Sequence, residues 1–227
     1  MAILFQLGAL ALAPLIVVQP IGALALILTS ILNARIYKLR LDRPTWLAIG
    51  ITLLGVGAFV SFAATSAVST ELSDEKLLQV VGIVVILLIF FGLAFYMTKG
   101  HVGPLSYILG AGVLYGFVAS LAKVVIQRFY QGDFDLLTLL AGVALIGATF
   151  LGGWFVQNAY ASGPPDLVIA GLTVVDPAVA VGIAVVILGE ASQAQLTEIL
   201  GYVVAGLIAM GGVLMLSRVH PQLSSEV

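Results

Sequence analysis

Seven long apolar runs constrain this chain more than any other feature of its sequence. They cover roughly residues 7–32, 45–64, 78–97, 104–127, 136–158, 166–189 and 198–217. A transmembrane α-helix needs about 20 consecutive apolar residues. Soluble domains contain about a quarter charged residues, whereas this chain is 9% charged and 61% hydrophobic. The sequence therefore predicts an all-α, multi-pass membrane protein with about seven transmembrane helices.

The chain lacks the residue groups on which common catalytic and metal sites depend. It has no cysteine and two histidines, which follow the ends of two apolar runs. The motifs HExxH, GxSxG and GxxxxGK[ST] do not occur in it. We therefore expect neither an enzyme nor a cofactor, and no nucleic-acid partner. The expected partners are membrane lipid, a small-molecule or ion substrate, and further subunits of this or another chain.

The basic residues give the chain an expected orientation. Four of them lie around the first loop: Arg35, Lys38, Arg40 and Arg43. Loops rich in lysine and arginine face the cytoplasm. Alternation of the helices from this loop places the acidic loop 66–77 outside and the C-terminus in the cytoplasm. We accordingly expect a multi-pass protein of the plasma (inner) membrane.

Two segments far apart in the chain resemble each other. LAPLIVVQP (12–20) and IAGLTVVDP (169–177) are identical at five of nine positions and lie 157 residues apart. After a gap the similarity resumes at an offset of 156, which pairs Gly55 with Gly211. The loop after the first copy is basic and the loop after the second is acidic, so the copies would cross the membrane in opposite directions. Inverted repeats are typical of many secondary transporters; chance similarity of two apolar helices is the alternative.

The repeat defines the expected domain organisation. Three apolar runs precede the second copy and none precedes the first, so residues 1–65 would hold the last two helices of a first repeat. Residues 66–77 would form an extracytoplasmic loop, residues 78–220 a complete five-helix second repeat, and residues 221–227 a flexible tail. On this interpretation the chain is an incomplete version of a ten-helix (5+5) inverted-repeat transporter.

These segments resemble the drug/metabolite transporter superfamily, with its paired five-helix EamA-type repeats. The resemblance rests on LAPLIVVQPIGALALILTSIL, on LDRPTWLAIGITLLGVGAFV, and on the segment from VIAGLTVVDP to GGVLML, in which LGE precedes a glutamine-containing turn. It implies a transporter that moves a small solute across the plasma membrane. The layout is also similar to the NIPA-like magnesium transporters, which implies a divalent-cation carrier as an alternative. The incomplete first repeat leaves a third interpretation, a non-transporting membrane fragment or partner subunit.

Asp176 is the main candidate for a site residue, because an ionised carboxylate within an apolar run is costly and usually marks an ion or substrate path. The alternative is a neutral or paired acid that orders the chain at Pro177. Pro20 and Pro177 cannot donate to the carbonyls of Ile16 and Thr173, so we expect a helix break at both, or else a packing kink. Asp176 with the Thr173 carbonyl or hydroxyl is the expected cation or proton site. Any metal would be assigned to Asp176.

Three further residues complete the candidate path. Gln19 occupies the position of Asp176 in the first copy and offers hydrogen bonds without charge, although we favour a packing role. Tyr115 is a mid-helix aromatic residue that either lines a cavity or anchors the helix at the membrane interface. For Lys123 we favour a side chain that snorkels to the outer interface. Alternatively, Lys123 faces the cavity and pairs with Asp176 or with an anionic substrate.

Overall fold

A computed structural model describes residues 2–36, 38, 41–68, 73–98 and 102–219. These residues form α-helices, one π-helix and no strand. The elements are α1 (Ala2–Leu12), α2 (Leu15–Ile21), α3 (Ala23–Ile36), α4 (Arg43–Ser66), α5 (Asp74–Thr98), α6 (Pro104–Gln131), α7 (Leu136–Ser162), α8 (Pro165–Ile183), the π-helix Ala184–Leu188, and α9 (Leu196–Val219). Seven helical segments are long and apolar enough to cross a membrane, which confirms the predicted multi-pass helical protein. The expected tail 221–227 and part of the expected loop 66–77 lie outside the described residues.

The first apolar run is not one continuous helix. α1 ends at Leu12, and Pro14 has an extended backbone with φ −57° and ψ 145° before α2 begins. Proline disfavours helical geometry at the residue before it, which here is Ala13. The first membrane span is therefore corrected from 7–32 to Leu15–Ile36, and α1 is a separate short helix.

The structure also corrects the expected helix breaks. α2 contains Pro20 and ends one residue later, where a turn at Gly22 leads into α3. α8, in contrast, continues through Pro177 to Ile183. A proline removes one helical hydrogen bond and bends the helix, and the flanking turns can still continue it. The interruption in this part of the chain comes later, where the π-helix ends at Gly189 with φ 73°.

α6 is the central helix of the described bundle and packs against α1, α5, α7 and α8. Its contact with α8 depends on Gly112 and Gly116, which lie one turn apart. A Cβ added to Gly112 would lie 2.6 Å from Val175, and one added to Gly116 would lie 2.7 Å from Val179. Small residues four positions apart let membrane helices approach closely. Because 112 pairs with 175 and 116 with 179, α6 and α8 run parallel.

α4 and α9 form a second close pair. A Cβ on Gly55 would lie 2.3 Å from the backbone nitrogen of Ala209, and a Cβ on Gly212 would lie 2.6 Å from the backbone nitrogen of Thr52. The two backbones therefore touch where these helices cross. The residue numbers rise along α4 as those of their partners fall along α9, so the two helices run antiparallel.

Candidate functional site

Five of the seven predicted site residues divide between two cavities that lie among the described helices. The first, here called the apolar cavity, has a volume of about 380 Å³ and is lined by α2, α3, α4, α8 and α9. Pro20, Pro177 and Thr173 all line it. The Thr173 hydroxyl donates to the carbonyl oxygen of Ile169 at 2.7 Å. The expected cation site of Thr173 with Asp176 is therefore corrected, because Asp176 lines a different cavity.

The second cavity contains Asp176 and has a volume of about 640 Å³. We call it the Asp176 cavity. Residues of α1, α6 and α7 form most of its wall, and the wall is largely aliphatic. Its polar or aromatic lining residues are Gln6, Tyr115, Thr149, Phe150 and Asp176. Tyr115 therefore lines a cavity, which is one of the two positions expected for it; the other was an anchor at the membrane interface.

The Asp176 side chain is incompletely satisfied. Its Oδ1 atom is shielded from solvent and has no hydrogen-bond partner in the part of the chain that the structure describes. Buried polar atoms in native proteins are nearly always paired. Leaving one unpaired costs about 1–3 kcal/mol, and more when the group is charged. Gln19 also has an unpaired polar atom among the described residues, its Nε2. The residue is 7% exposed and lines neither cavity.

Lys123 binds the end of α1. The residue is 2% exposed, and its Nζ donates to the carbonyl oxygens of Leu10 at 2.7 Å and Ala13 at 2.6 Å. The last carbonyls of a helix have no intrahelical partner and carry partial negative charge. The ammonium group of Lys123 supplies hydrogen bonds to two of these carbonyl oxygens. The favoured snorkelling position of Lys123 is therefore corrected, and its ammonium group is bound by α1 instead of by Asp176.

Glu190 is the counterpart of Lys123 at the start of α2. Its Oε1 accepts from the N–H of Leu15 at 2.9 Å, and its Oε2 accepts from the N–H of Ile16 at 2.8 Å. These first N–H groups lack intrahelical partners and carry partial positive charge. Burial raises the pKa of the Glu190 carboxyl above its ordinary value, and the two N–H groups and Lys123 oppose that shift in part.

The backbone around Glu190 is held by the segment that follows α4, by α5 and by the π-helix. The Glu190 carbonyl accepts from the N–H of Val68 at 2.9 Å, and the Glu190 N–H donates to the carbonyl of Ala184 at 2.9 Å. Lys76 Nζ donates to the carbonyl of Leu188 at 2.8 Å. The end of the π-helix is therefore fixed in place, and the carboxylate is directed at the α1–α2 turn. Glu190 belongs to the acidic loop that follows the second copy, and the sequence alone did not identify this role.

Arg128 is a third charged residue that is more buried than expected from its position near a helix end. It is 4% exposed and forms ion pairs with Asp74 and with Asp133, the latter at 3.3 Å between Nη1 and Oδ2. These contacts join α5, α6 and the loop after α6. Within the described ranges no group of three or more histidine, aspartate or glutamate side chains is placed to hold a metal ion.

The chain is similar to an uncharacterized protein of Corynebacterium glutamicum. The two are 26% identical over 221 residues, which cover 96% of this chain and 76% of the other protein. No family model matches the chain. No solved structure matches it. The similarity assigns no function, so function has to be inferred from the geometry of the cavities and of the buried charges.

Proposed function

We propose that the protein is a membrane transporter that moves a small solute by alternating access, with the Asp176 cavity as its substrate site. The observation that carries the proposal is Asp176, which lines a cavity of about 640 Å³ and whose solvent-shielded Oδ1 has no partner among the described residues. Ionisable residues within membrane-spanning helices usually mark substrate or ion paths. Ligand pockets of proteins have volumes of about 300–1,000 Å³. A bound solute would supply the partner that Asp176 lacks within the described chain.

The proposed architecture is the inverted repeat of the drug/metabolite transporters. The crossing of α4 and α9 supports it, because Gly55 faces Ala209 and Gly212 faces Thr52. A two-fold relation requires reciprocal contacts of this kind, and any antiparallel pair of helices in contact also shows them. The relation pairs position 52 with 209 and 55 with 212, a spacing of 157 residues as between VVQP and VVDP, and one residue more than the offset of 156 that pairs Gly55 with Gly211 in the sequence comparison. The antiparallel direction of the two helices is the one that inverted repeats require.

Uptake into proteoliposomes tests the proposal. The purified protein is reconstituted, and a panel of labelled small solutes is screened for uptake above that of protein-free vesicles. For any transported solute we expect Asp176→Asn to lower the rate about ten-fold or more, because a hydrogen bond to a charged group contributes about 1.5–3 kcal/mol. Asp166→Asn is the matched control, since Asp166 lies in the first turn of the same helix and does not line the cavity. Equal uptake rates for wild type and Asp176→Asn would show that Asp176 does not contribute to the substrate site.

The same assay distinguishes the two alternatives. A magnesium carrier of the NIPA-like type would take up Mg²⁺ in a manner that depends on Asp176, since Mg²⁺ binds through one or two carboxylates and retained water. A non-transporting subunit would take up none of the solutes while remaining folded and correctly inserted. No contact in the described structure favours either alternative over the transport of a small organic solute.

A further inference from the structure

We infer that the Asp176 cavity selects small organic cations, namely amines that carry one positive charge on an apolar body. The inference rests on the proposed function in one respect, that the cavity is a ligand site. It goes further by naming the chemistry of the ligand. Three properties of the cavity lead to it: the sign of its charge, the nature of its wall, and the side from which it is open.

The described lining of the cavity contains one acidic residue and no basic residue. Of the described residues that line it, Asp176 alone carries a formal charge. The nearby cation, Lys123, does not line the cavity, and its Nζ is bound to two carbonyl oxygens of the α1 end. An anionic ligand would therefore meet repulsion without compensation, and a neutral apolar ligand would leave the carboxylate unpaired. A ligand with one ammonium group satisfies the carboxylate with a charge-assisted hydrogen bond.

The wall of the cavity fits an organic body better than a bare metal ion. Most of its lining residues are aliphatic, and the rings of Tyr115 and Phe150 offer faces to which cations are attracted. The hydroxyl of Thr149 already donates to the carbonyl of Leu145 at 2.8 Å. Ca²⁺ takes about six to eight oxygen ligands, whereas the side chains here provide one carboxylate and few other oxygens. A volume of about 640 Å³ also far exceeds that of a single ion.

The open side of the cavity faces the region where the membrane would lie. Ile146 and Phe150 of α7 line the cavity and are nevertheless 57% and 76% exposed. Both belong to a membrane-spanning helix, so their exposed surface would meet lipid chains. An amine with an apolar body partitions into a bilayer and can approach the carboxylate from that side. The apolar cavity offers no such anchor, since its described lining contains no formal charge.

A series of three ligands with one shared body tests the inference. Binding of 2-phenylethylamine, 2-phenylethanol and 3-phenylpropanoate to the purified protein in detergent is measured by calorimetry. We expect the amine to bind about ten-fold or more tightly than the alcohol, and the carboxylate to show no saturable binding. Asp176→Asn should abolish the preference for the amine, whereas Asp176→Glu and the control Asp166→Asn should retain it. Equal binding of amine and alcohol, or a preference that survives Asp176→Asn, would overturn the inference.

Two further measurements keep the result interpretable. If Asp176→Asn does not fold, Tyr115→Leu replaces it and should weaken binding of the amine about two- to thirty-fold through loss of the aromatic face. Displacement of the amine by millimolar Na⁺ or Mg²⁺ would assign the site to an inorganic cation and overturn the inference. Amine binding without uptake would contradict the proposed transport function and leave the inference on amine selectivity intact. Uptake of neutral or anionic solutes that depends on Asp176 would support transport and overturn the inference on amine selectivity.

Discussion

Two of the regions in which this molecule shields charged groups from solvent differ in how completely those groups are hydrogen-bonded. At the α1–α2 turn, Lys123 and Glu190 make four hydrogen bonds to backbone groups, all between 2.6 and 2.9 Å. At the wall of its cavity, Asp176 has an Oδ1 with no partner among the described residues. Fully satisfied buried polar networks rigidify a structure, whereas partly satisfied ones cost stability. The difference is consistent with a turn that stabilises the fold and with the proposal that Asp176 binds a ligand.

The turn also shows how a helix can be interrupted beside membrane-spanning segments. Backbone groups that lose their helical partners are expensive away from water. Here Lys123 meets the negative end of α1 and Glu190 meets the positive end of α2, so each side chain satisfies a helix terminus and its dipole together. The same contact fixes one wall of the cavity, because Leu10 both accepts from Lys123 and lines the Asp176 cavity.

Removal of the Glu190 carboxylate should have the largest effect. Glu190→Ala leaves two N–H groups of α2 unsatisfied and removes the opposing charge of Lys123, so the free energy of unfolding should fall by about 3–5 kcal/mol. Glu198→Ala is the matched control: that carboxylate accepts from the N–H of Gln195 at a more exposed site and should cost about 1 kcal/mol. Unfolding in detergent measures both. Equal losses would show that the α1–α2 turn does not depend on Glu190.

Removal of the lysine should cost somewhat less and should not be additive with a change at Glu190. Lys123→Met keeps an apolar chain of similar length but loses two hydrogen bonds, and we expect a loss of about 2–4 kcal/mol in the free energy of unfolding. Because Lys123 and Glu190 hold the same turn, a double-mutant cycle with Glu190→Gln should give a coupling energy of about 0.5–3 kcal/mol. Additive losses would mean that the two ends of the turn are held independently.

Replacement of Asp176 should raise the free energy of unfolding, whereas the changes at Glu190 and Lys123 lower it. Asp176→Leu removes an unpaired acceptor from an apolar wall, so the free energy of unfolding should rise by about 1–3 kcal/mol. The same variant should lose uptake of any transported solute. A gain of stability together with a loss of function would separate Asp176 clearly from the Lys123–Glu190 turn. Loss of stability on this substitution would instead place Asp176 among the residues that support the fold.

The sequence predicts the membrane helices well, because a run of about 20 apolar residues decides the matter locally. It predicts less about where those helices are interrupted. The turn at Pro14 is held by the side chains of Lys123 and Glu190, which lie more than 100 positions away in the sequence. The local sequence around Pro14 does not predict these contacts. The prolines of the two similar segments also differ in setting. Pro20 follows the start of α2 by five residues, and Pro177 follows the start of α8 by twelve.

The candidate site was predicted only in part, because contacts between distant residues decide which side chains share a cavity. Asp176 and Tyr115 do line one cavity, since a lone acid and a mid-helix aromatic residue in apolar surroundings are visible in the sequence. Thr173 does not join them. Positions 173 and 176 point about 60° apart around a helix, and only the packing of neighbouring helices decides whether that angle spans one cavity or two. Glu190 looked like a loop acid because its partners are backbone N–H groups, which leave no pattern in a sequence.

The smallest expected effect concerns the pH dependence of the α1–α2 turn. Burial raises the pKa of Glu190, with Lys123 and the N–H groups of Leu15 and Ile16 as opposing partners. A carboxyl whose pKa is higher in the folded than in the unfolded chain holds its proton more tightly when folded. Its contribution to the free energy of unfolding is therefore greatest below the ordinary value of 4.5 and falls as the pH rises through the raised pKa. The fall should be about 1.4 kcal/mol for each unit between the two pKa values. Unfolding of wild type and Glu190→Gln, followed from about pH 4 to about pH 8, should show this decline in the wild type alone, and identical profiles would contradict it.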